Sequence, residues 1–431
     1  MVVAALDLDE YRSHVEEYLR RPGPAADERF AQLFPAESVA ALEALAAAGG
    51  PRPWALARFA AEGHLRLASA AEMARIEEEL RLPLTAGLTL LDVDLALAAE
   101  PDPERRRELQ RERLRAIGNR LGSAIADAIG LRAAAARALG AESPAALIAR
   151  VGGLDLRGAA ALGMGVLDAG DAETGPALDR VARDALGVSL SALDAADLPR
   201  LLRAPHLEDA LPPAGARSAL ERTCELFGLE APPPSSSTGA TGLAAYAEAL
   251  RLGGLALARA GASARLPVEA RRLGDPAVAQ ATAFLLEGLL GEPAWLVRAM
   301  GVGDPGRIAA PARALRILGA RTAAARAVAL EGGSAEELMS RAIGVEWPSE
   351  LTLADPLAGA APADAIRGRA LAALLRAHLR ETSGDRWFAD PHAAELLREI
   401  WVEGGDLTPE GLARELGAPG LDAKDVAAET A

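Results

Sequence analysis

Five histidines, one cysteine and one acidic pair are the side chains best suited to chemistry in this 431-residue chain, and their spacing gives none of them a partner. His14, His64, His206, His378 and His392 never stand four apart, whereas a helical zinc site needs two imidazoles on one face and a carboxylate nearby. Isolated surface or capping histidines account for all five. Cys224 is the only cysteine, which rules out an intrachain disulfide framework and every multi-cysteine metal site. In A-L-E-R-T-C-E-L-F it shares helical spacing with Leu220 and Phe227, so it is expected to face the core rather than act as a thiol beside His206. Asp92 and Asp94 share one face of an expected strand and could hold a cation or protonate a substrate, but no partner motif accompanies them. G-M-G-V-L-D-A-G at 163–170 is glycine-rich like a dinucleotide loop, yet its third glycine falls late and no strand precedes it. Close helix packing is the expected use of those glycines.

The elements that would position such groups are almost all helical. Apolar residues recur at three and four over 37–48, 53–62, 104–131, 176–185, 244–260, 277–290, 311–330 and 363–381, with Gly and Pro marking the ends. The stretch 82–98, L-P-L-T-A-G-L-T-L-L-D-V-D-L-A-L-A, alternates about a glycine and is the one strand candidate, with a hairpin as its expected form. Ala, Leu, Arg and Glu dominate and all favour helix. Aromatics are 3% of the chain, so the core must be packed from Ala, Leu and Val with helices close together. A Pro/Ser/Gly linker over 231–242 is expected to divide an N-terminal helical lobe, 1–230, from a second helical lobe, 243–431. Lys424 is the only lysine and Asn119 the only asparagine, a bias that fits a GC-rich genome, so the arginine count by itself implies no ligand.

A formal net charge of −15 argues against general nucleic-acid binding, which needs a basic face. The one basic island, P-E-R-R-R-E-L-Q-R-E-R-L-R at 103–115, interleaves Glu at pairing distance and reads as a solvated helical face rather than an anion or RNA site. The apolar run of M-V-V-A-A-L-D-L-D-E is too short for a signal peptide, and no uncharged stretch is long enough to span a bilayer. A cytoplasmic location and no membrane partner are the expectation.

Longer stretches carry a family resemblance. D-P-A-V-A-Q-A-T-A-F-L-L-E-G-L-L-G-E-P-A-W-L at 275–296 resembles the helix that supplies the third zinc ligand in the gluzincin peptidases of the oligoendopeptidase and thimet-oligopeptidase type. R-I-E-E-E-L-R-L at 75–82 and A-E-P-D-P-E-R-R-R-E-L at 99–109 resemble that family's N-terminal half, and D-A-A-D-L-P-R-L-L-R-A-P at 194–205 its middle. The run from Leu374 to Trp401, followed by L-T-P-E-G-L-A-R-E-L-G, is similar to its closing helices. The resemblance implies a mainly α, two-lobed, gluzincin-like fold with a small residual β element.

It also implies a site that has lost its chemistry. Where the family carries His-Glu-x-x-His this chain reads L-R-L-G-G, so Leu250 and Gly254 stand at the imidazole positions and Arg251 at the general base. Neither Leu nor Gly has a lone pair for zinc, and a guanidinium cannot accept a proton. Gln280 stands at the third ligand, with an amide in place of an anion. A-D-A-I-R at 363–367 resembles the family's A-D-Y-x-R, and Ala365 lacks the hydroxyl of that Tyr. The family's substrate-edge strands shrink here to the residues 230–242, leaving no ladder for an extended peptide. No cofactor is expected. The implied function is that of an inactive relative serving as a binding, scaffold or regulatory subunit for an active relative or a pathway enzyme. The alternative is a cleft adapted to metal-free chemistry or to a small anion or peptide in a specialised biosynthetic pathway, with Arg251 and Gln280 as donors; otherwise Leu250 and Leu252 simply fill the space.

Overall fold

In the computed structural model, which describes residues 6–49, 52–85, 87–233 and 239–428, α-helices and short 3-10 or π turns form every regular element beyond one isolated β-bridge. Local chemistry sets their ends. Asp102, Ser143, Asp155, Asp275, Asp390 and Thr408 each accept a backbone N–H of the turn that follows, and a proline at the start of five of those helices removes a donor that would have no partner. Gly153 and Gly187 close two of these helices, and Gly301 and Gly344 two others, in the left-handed conformation.

The strand expected over 82–98 is not formed. Gly87, at φ 79°, turns the chain and leaves a single bridge between Pro83 and Thr89. The rest folds as the helix Val93–Ala99, in which Val93 and Leu97 stand one turn apart and are fully buried. Leu and Ala are strong helix formers, and a Leu-Ala alternation fits a helix stripe as well as a strand. Asp92 and Asp94 therefore do not share a strand face. Asp92 accepts the Thr89 hydroxyl at 2.6 Å, and Asp94 pairs with Arg113.

Buried side chains gather in three clusters. The largest runs from Ala159 to Val426 and draws on helices from both sides of 231–242, of which residues 234–238 lie outside the described part of the chain. The second packs Tyr18, Phe30, Phe34 and Phe59 edge to face with Leu147, and takes Val268 and Ala360 from later in the chain. The third joins Ile76, Leu97, Leu121 and Ile125. The longest helices, Leu156–Leu186 and Gly306–Ala329, pack along each other, and a Cβ at Gly163 would stand 2.9 Å from the Ala324 carbonyl oxygen. The glycines of 163–170 thus lie inside a helix, at a close helix crossing.

Arginine–carboxylate pairs bolt distant segments together. Arg58 meets Asp364, Arg12 meets the fully buried Glu269, and Arg367 spans Asp275 and Glu410. The basic island is part of this system and not only a solvated face. Arg106 is buried against Asp197, and Arg107 reaches Asp194, because the D-A-A-D turn at 194–197 packs on the helix Pro103–Ala116. That helix continues through a widened π turn, Ile117–Leu121, into Gly122–Ala138. No described helix is long and apolar enough to cross a membrane.

Candidate functional site

The helix Gly242–Gly261 carries Leu250, Gly254 and Leu257 along one face, at the i, i+4, i+7 spacing of a buried stripe. That stripe presses on the helix Pro276–Glu287, which in turn packs against Ala361–Ser383. The first crossing is closed at backbone distance. A Cβ at Gly254 would meet the Thr282 carbonyl oxygen at 2.8 Å and the Ala283 Cα at 2.9 Å. The second is as tight, since a Cβ at Gly368 would lie 3.0 Å from both the Ala277 oxygen and the Gln280 Cβ. Leu250 is fully buried in the seam, and Ala365 is half-buried one turn before Gly368. Three helices stacked through glycines leave no space where two imidazoles and a metal ion would stand. These residues do not fit a zinc ion, and among the described residues no three His, Cys, Asp or Glu side chains are grouped to hold one.

Arg251 and Gln280 lie at different cavities. Gln280 borders a space of about 250 Å³ with Arg58, Arg259, Asp275 and Trp401, and its amide oxygen is buried with no hydrogen-bond partner among the described residues. Arg251 is exposed at the mouth of a cavity of about 330 Å³, where it is joined by Arg316 and Arg369, with Glu248 and Glu287 as the carboxylates.

This second cavity has a marked electrostatic character. Arg369 lies with its guanidinium carbon 4.1 Å from the centre of the Phe284 ring, a cation–π contact that fixes its plane. Burial pushes its pKa down, the positive charges of Arg251 and Arg316 add to that, and Glu287 opposes it. Arg316 donates to the Gly288 carbonyl at 3.1 Å, and burial pushes it down to about 10 against the pull of Glu292 and Glu287. Behind it Arg376, 4% exposed, is driven well down by burial and then by Arg316. Glu292 is the buried counter-ion, 3.8 Å from Arg376 and bonded to Arg380. Arg313 completes the group by donating to the Gly291 carbonyl. Arg251, Arg316 and Arg369 therefore line the cavity with Glu248 and Glu287, and Arg313, Arg376 and Arg380 gather with Glu292 beside it.

Sequence reasoning reached Arg251 through a motif position and missed Arg316, Arg369 and Arg376. Their signal was present. Arg369 and Arg376 stand seven apart in R-A-L-A-A-L-L-R, on a helix whose other residues there are Ala and Leu. Charges at i and i+7 share one face of a helix, so in an apolar run both stand on a face that packs.

The remaining candidates separate cleanly. Cys224 is 1% exposed and burial raises its thiol to about 11, so it is a core residue and not a nucleophile. His206 is part-buried, and burial lowers its pKa, partly offset by Asp184. His64 contacts the Phe34 carbonyl through Nδ1 at 2.9 Å. No protein-family model matches the chain, and no curated protein matches its sequence.

Proposed function

We propose that this chain is a noncatalytic binding protein, a degenerate relative of the oligopeptidase-type gluzincins, and that it binds an anion in the cavity of Arg251, Arg316 and Arg369. The observation that carries the reading is the lining of that cavity by three guanidinium groups, Arg251, Arg316 and Arg369, against two carboxylates, Glu248 and Glu287. Arginine cannot shed its proton at physiological pH, so the excess charge persists in the folded state. An incoming carboxylate or phosphate would add a negative charge to a cavity with more guanidinium groups than carboxylates and would accept forked N–H donors. Arg251 at the mouth and Arg369 held flat on Phe284 supply the donors, and Gln280, at another cavity, takes no part.

Absence of peptidase chemistry belongs to the same reading, and the backbone-close crossing at Gly254 supports it, since two imidazoles and a metal ion could not stand there. The anion has two sources, a free metabolite or an acidic side chain of a protein partner. Calorimetric titration with citrate and with inorganic phosphate, on the wild type and on Arg251→Ala, tests the chemistry. Saturable binding that weakens more than tenfold in the variant, with an unchanged unfolding midpoint, is the expected result. Absence of binding to both anions, or equal affinity in the variant, overturns it. Native mass spectrometry of the protein from its own source separates the two origins, as a small-molecule adduct or as an attached second chain.

A further inference from the structure

A cavity of about 320 Å³ adjoins the arginine cavity and has the opposite character. Apart from Arg217 and Glu248, its lining is Ala, Leu, Pro and Gly. Arg217 is turned to a structural task, pairing with Glu221 at 2.7 Å and donating to the Pro232 carbonyl at 2.7 Å. The second bond fastens the Pro232–Pro233 wall, whose φ angles the two rings already fix. Leu220 forms another wall by reaching the helix Gly242–Gly261 at Gly253, where no side chain holds it off. The space is therefore preformed, as sites for small ligands usually are.

Ala240 and Glu248 line both cavities, so the two spaces adjoin across one ridge of the helix Gly242–Gly261. Successive helix positions turn by about 100°, which sets Ala244 in the arginine cavity and its neighbour Ala245 in the apolar one. Between Ala240 and Glu248 the ridge is thus made of two alanines, each with a single methyl group, and it is low enough for an alkyl chain to lie across. A bare inorganic anion would leave the apolar cavity unused, and an uncharged chain would gain nothing from the guanidinium groups. One ligand that carries an anionic head and an apolar tail meets both.

We propose, resting on the anion binding inferred for the Arg251 cavity, that the ligand is a medium-chain monocarboxylate, its head bonded by Arg251 and Arg369 and its tail laid over Ala244 and Ala245 into the apolar cavity. Octanoate is the probe, with butanoate and suberate as controls that shorten the tail or end it in a second carboxylate. Each buried methylene strengthens binding about fourfold, so calorimetry is expected to give one saturable site for octanoate, at least tenfold tighter than for butanoate. Suberate is expected to fall back to the level of butanoate, because its far carboxylate would be buried among Ala, Leu and Pro. Ala245→Leu fills the crossing with a residue that helices favour, and should bring octanoate down to butanoate while butanoate itself is unchanged. Should that variant fail to fold, Ala249→Leu, which narrows the apolar cavity alone, takes its place. Octanoate no tighter than butanoate, suberate equal to octanoate, or octanoate binding unaltered in the folded variant overturns the tail site and leaves the anion site standing. Failure of octanoate, butanoate and inorganic phosphate alike to bind overturns both.

Discussion

Replacing Gly254 by Ala is the sharpest probe of the closed helix seam, because Gly253 next to it provides a matched control. Both residues lie inside the helix Gly242–Gly261, so each substitution gains about 1 kcal/mol of helix propensity. They differ in what the new methyl group meets. At Gly254 the obstacles are backbone atoms of the helix Pro276–Glu287, at 2.8 and 2.9 Å. Carbon normally approaches no closer than about 3.4 Å, so the two helices must part by roughly half an ångström, an over-packing that costs about 1–3 kcal/mol. At Gly253 the obstacle is the buried Leu220 side chain, both methyl groups and the Cγ, which unlike a backbone has other rotamers to move into. The propensity terms cancel, and Gly254→Ala should be less stable than Gly253→Ala by about 1–2 kcal/mol. With a urea slope of about 3 kcal/mol/M this separates the midpoints by roughly 0.3–0.7 M, which far-UV circular dichroism resolves. Coincident midpoints, or a more stable Gly254→Ala, would refute the close crossing and with it the argument that a metal site has no room.

The same seam leaves no room for a gluzincin-type His-Glu-x-x-His site to be built in. The combined variant Leu250→His, Arg251→Glu, Gly254→His and Gln280→Glu is expected to lose folding yield and to hold well below one zinc per chain by elemental analysis; a folded variant with stoichiometric zinc would show that the helices open readily. Acid stability tests the arginine bolts. Burial pushes the Glu410 carboxylate up, but its bonds to Arg367 outweigh this and hold it below its ordinary 4.5. A depressed folded pKa means that the unfolded chain takes the proton first, so the pair's stabilisation is present above about pH 4.5 and is lost as pH falls through the folded value. Glu410→Gln should therefore cost at most about 1 kcal/mol at pH 7, the carboxylate being partly exposed, and the gap to wild type in urea midpoints should close toward pH 3. A gap that stays constant with pH would assign the loss to packing.

Helix positions were largely legible because the signals that set them are local. Where an acidic or hydroxyl cap, an early proline or a closing glycine marks a helix end, it sits within a few residues of it, as at Asp275–Pro276 and Gly301. The strand expected at 82–98 failed where two periods fit the same letters: Leu and Ala alternating over 95–98 satisfy a strand, while Val93 and Leu97 satisfy a helix, and burial of that four-residue pair decided the outcome. The basic island misled for a different reason. Its partners Asp194 and Asp197 are some ninety residues away, so nothing near Arg106 marks it as buried.

The candidate site was half legible, and the missing half follows from composition. A chain with 3% aromatics fills its interior with Ala, Leu and Gly, so its helices approach until backbones touch, as they do at Gly254 and Gly368. Closing those seams removes the space a metal would need. Helices of such small residues leave gaps at their ends, beyond the crossings, where only long side chains reach. Arg316, Arg369 and Arg376 fill that role at the end of the helix Pro276–Glu287, around Glu287, Gly288 and Glu292. In a chain with one lysine the long side chain available for a gap is arginine, and each one brings a charge into the interior. Apolar economy at the crossings and charge accumulation beyond them therefore have one cause. A cavity lined by three arginines and two carboxylates for reasons of packing is thereby open to an anion, which is the binding proposed for it above.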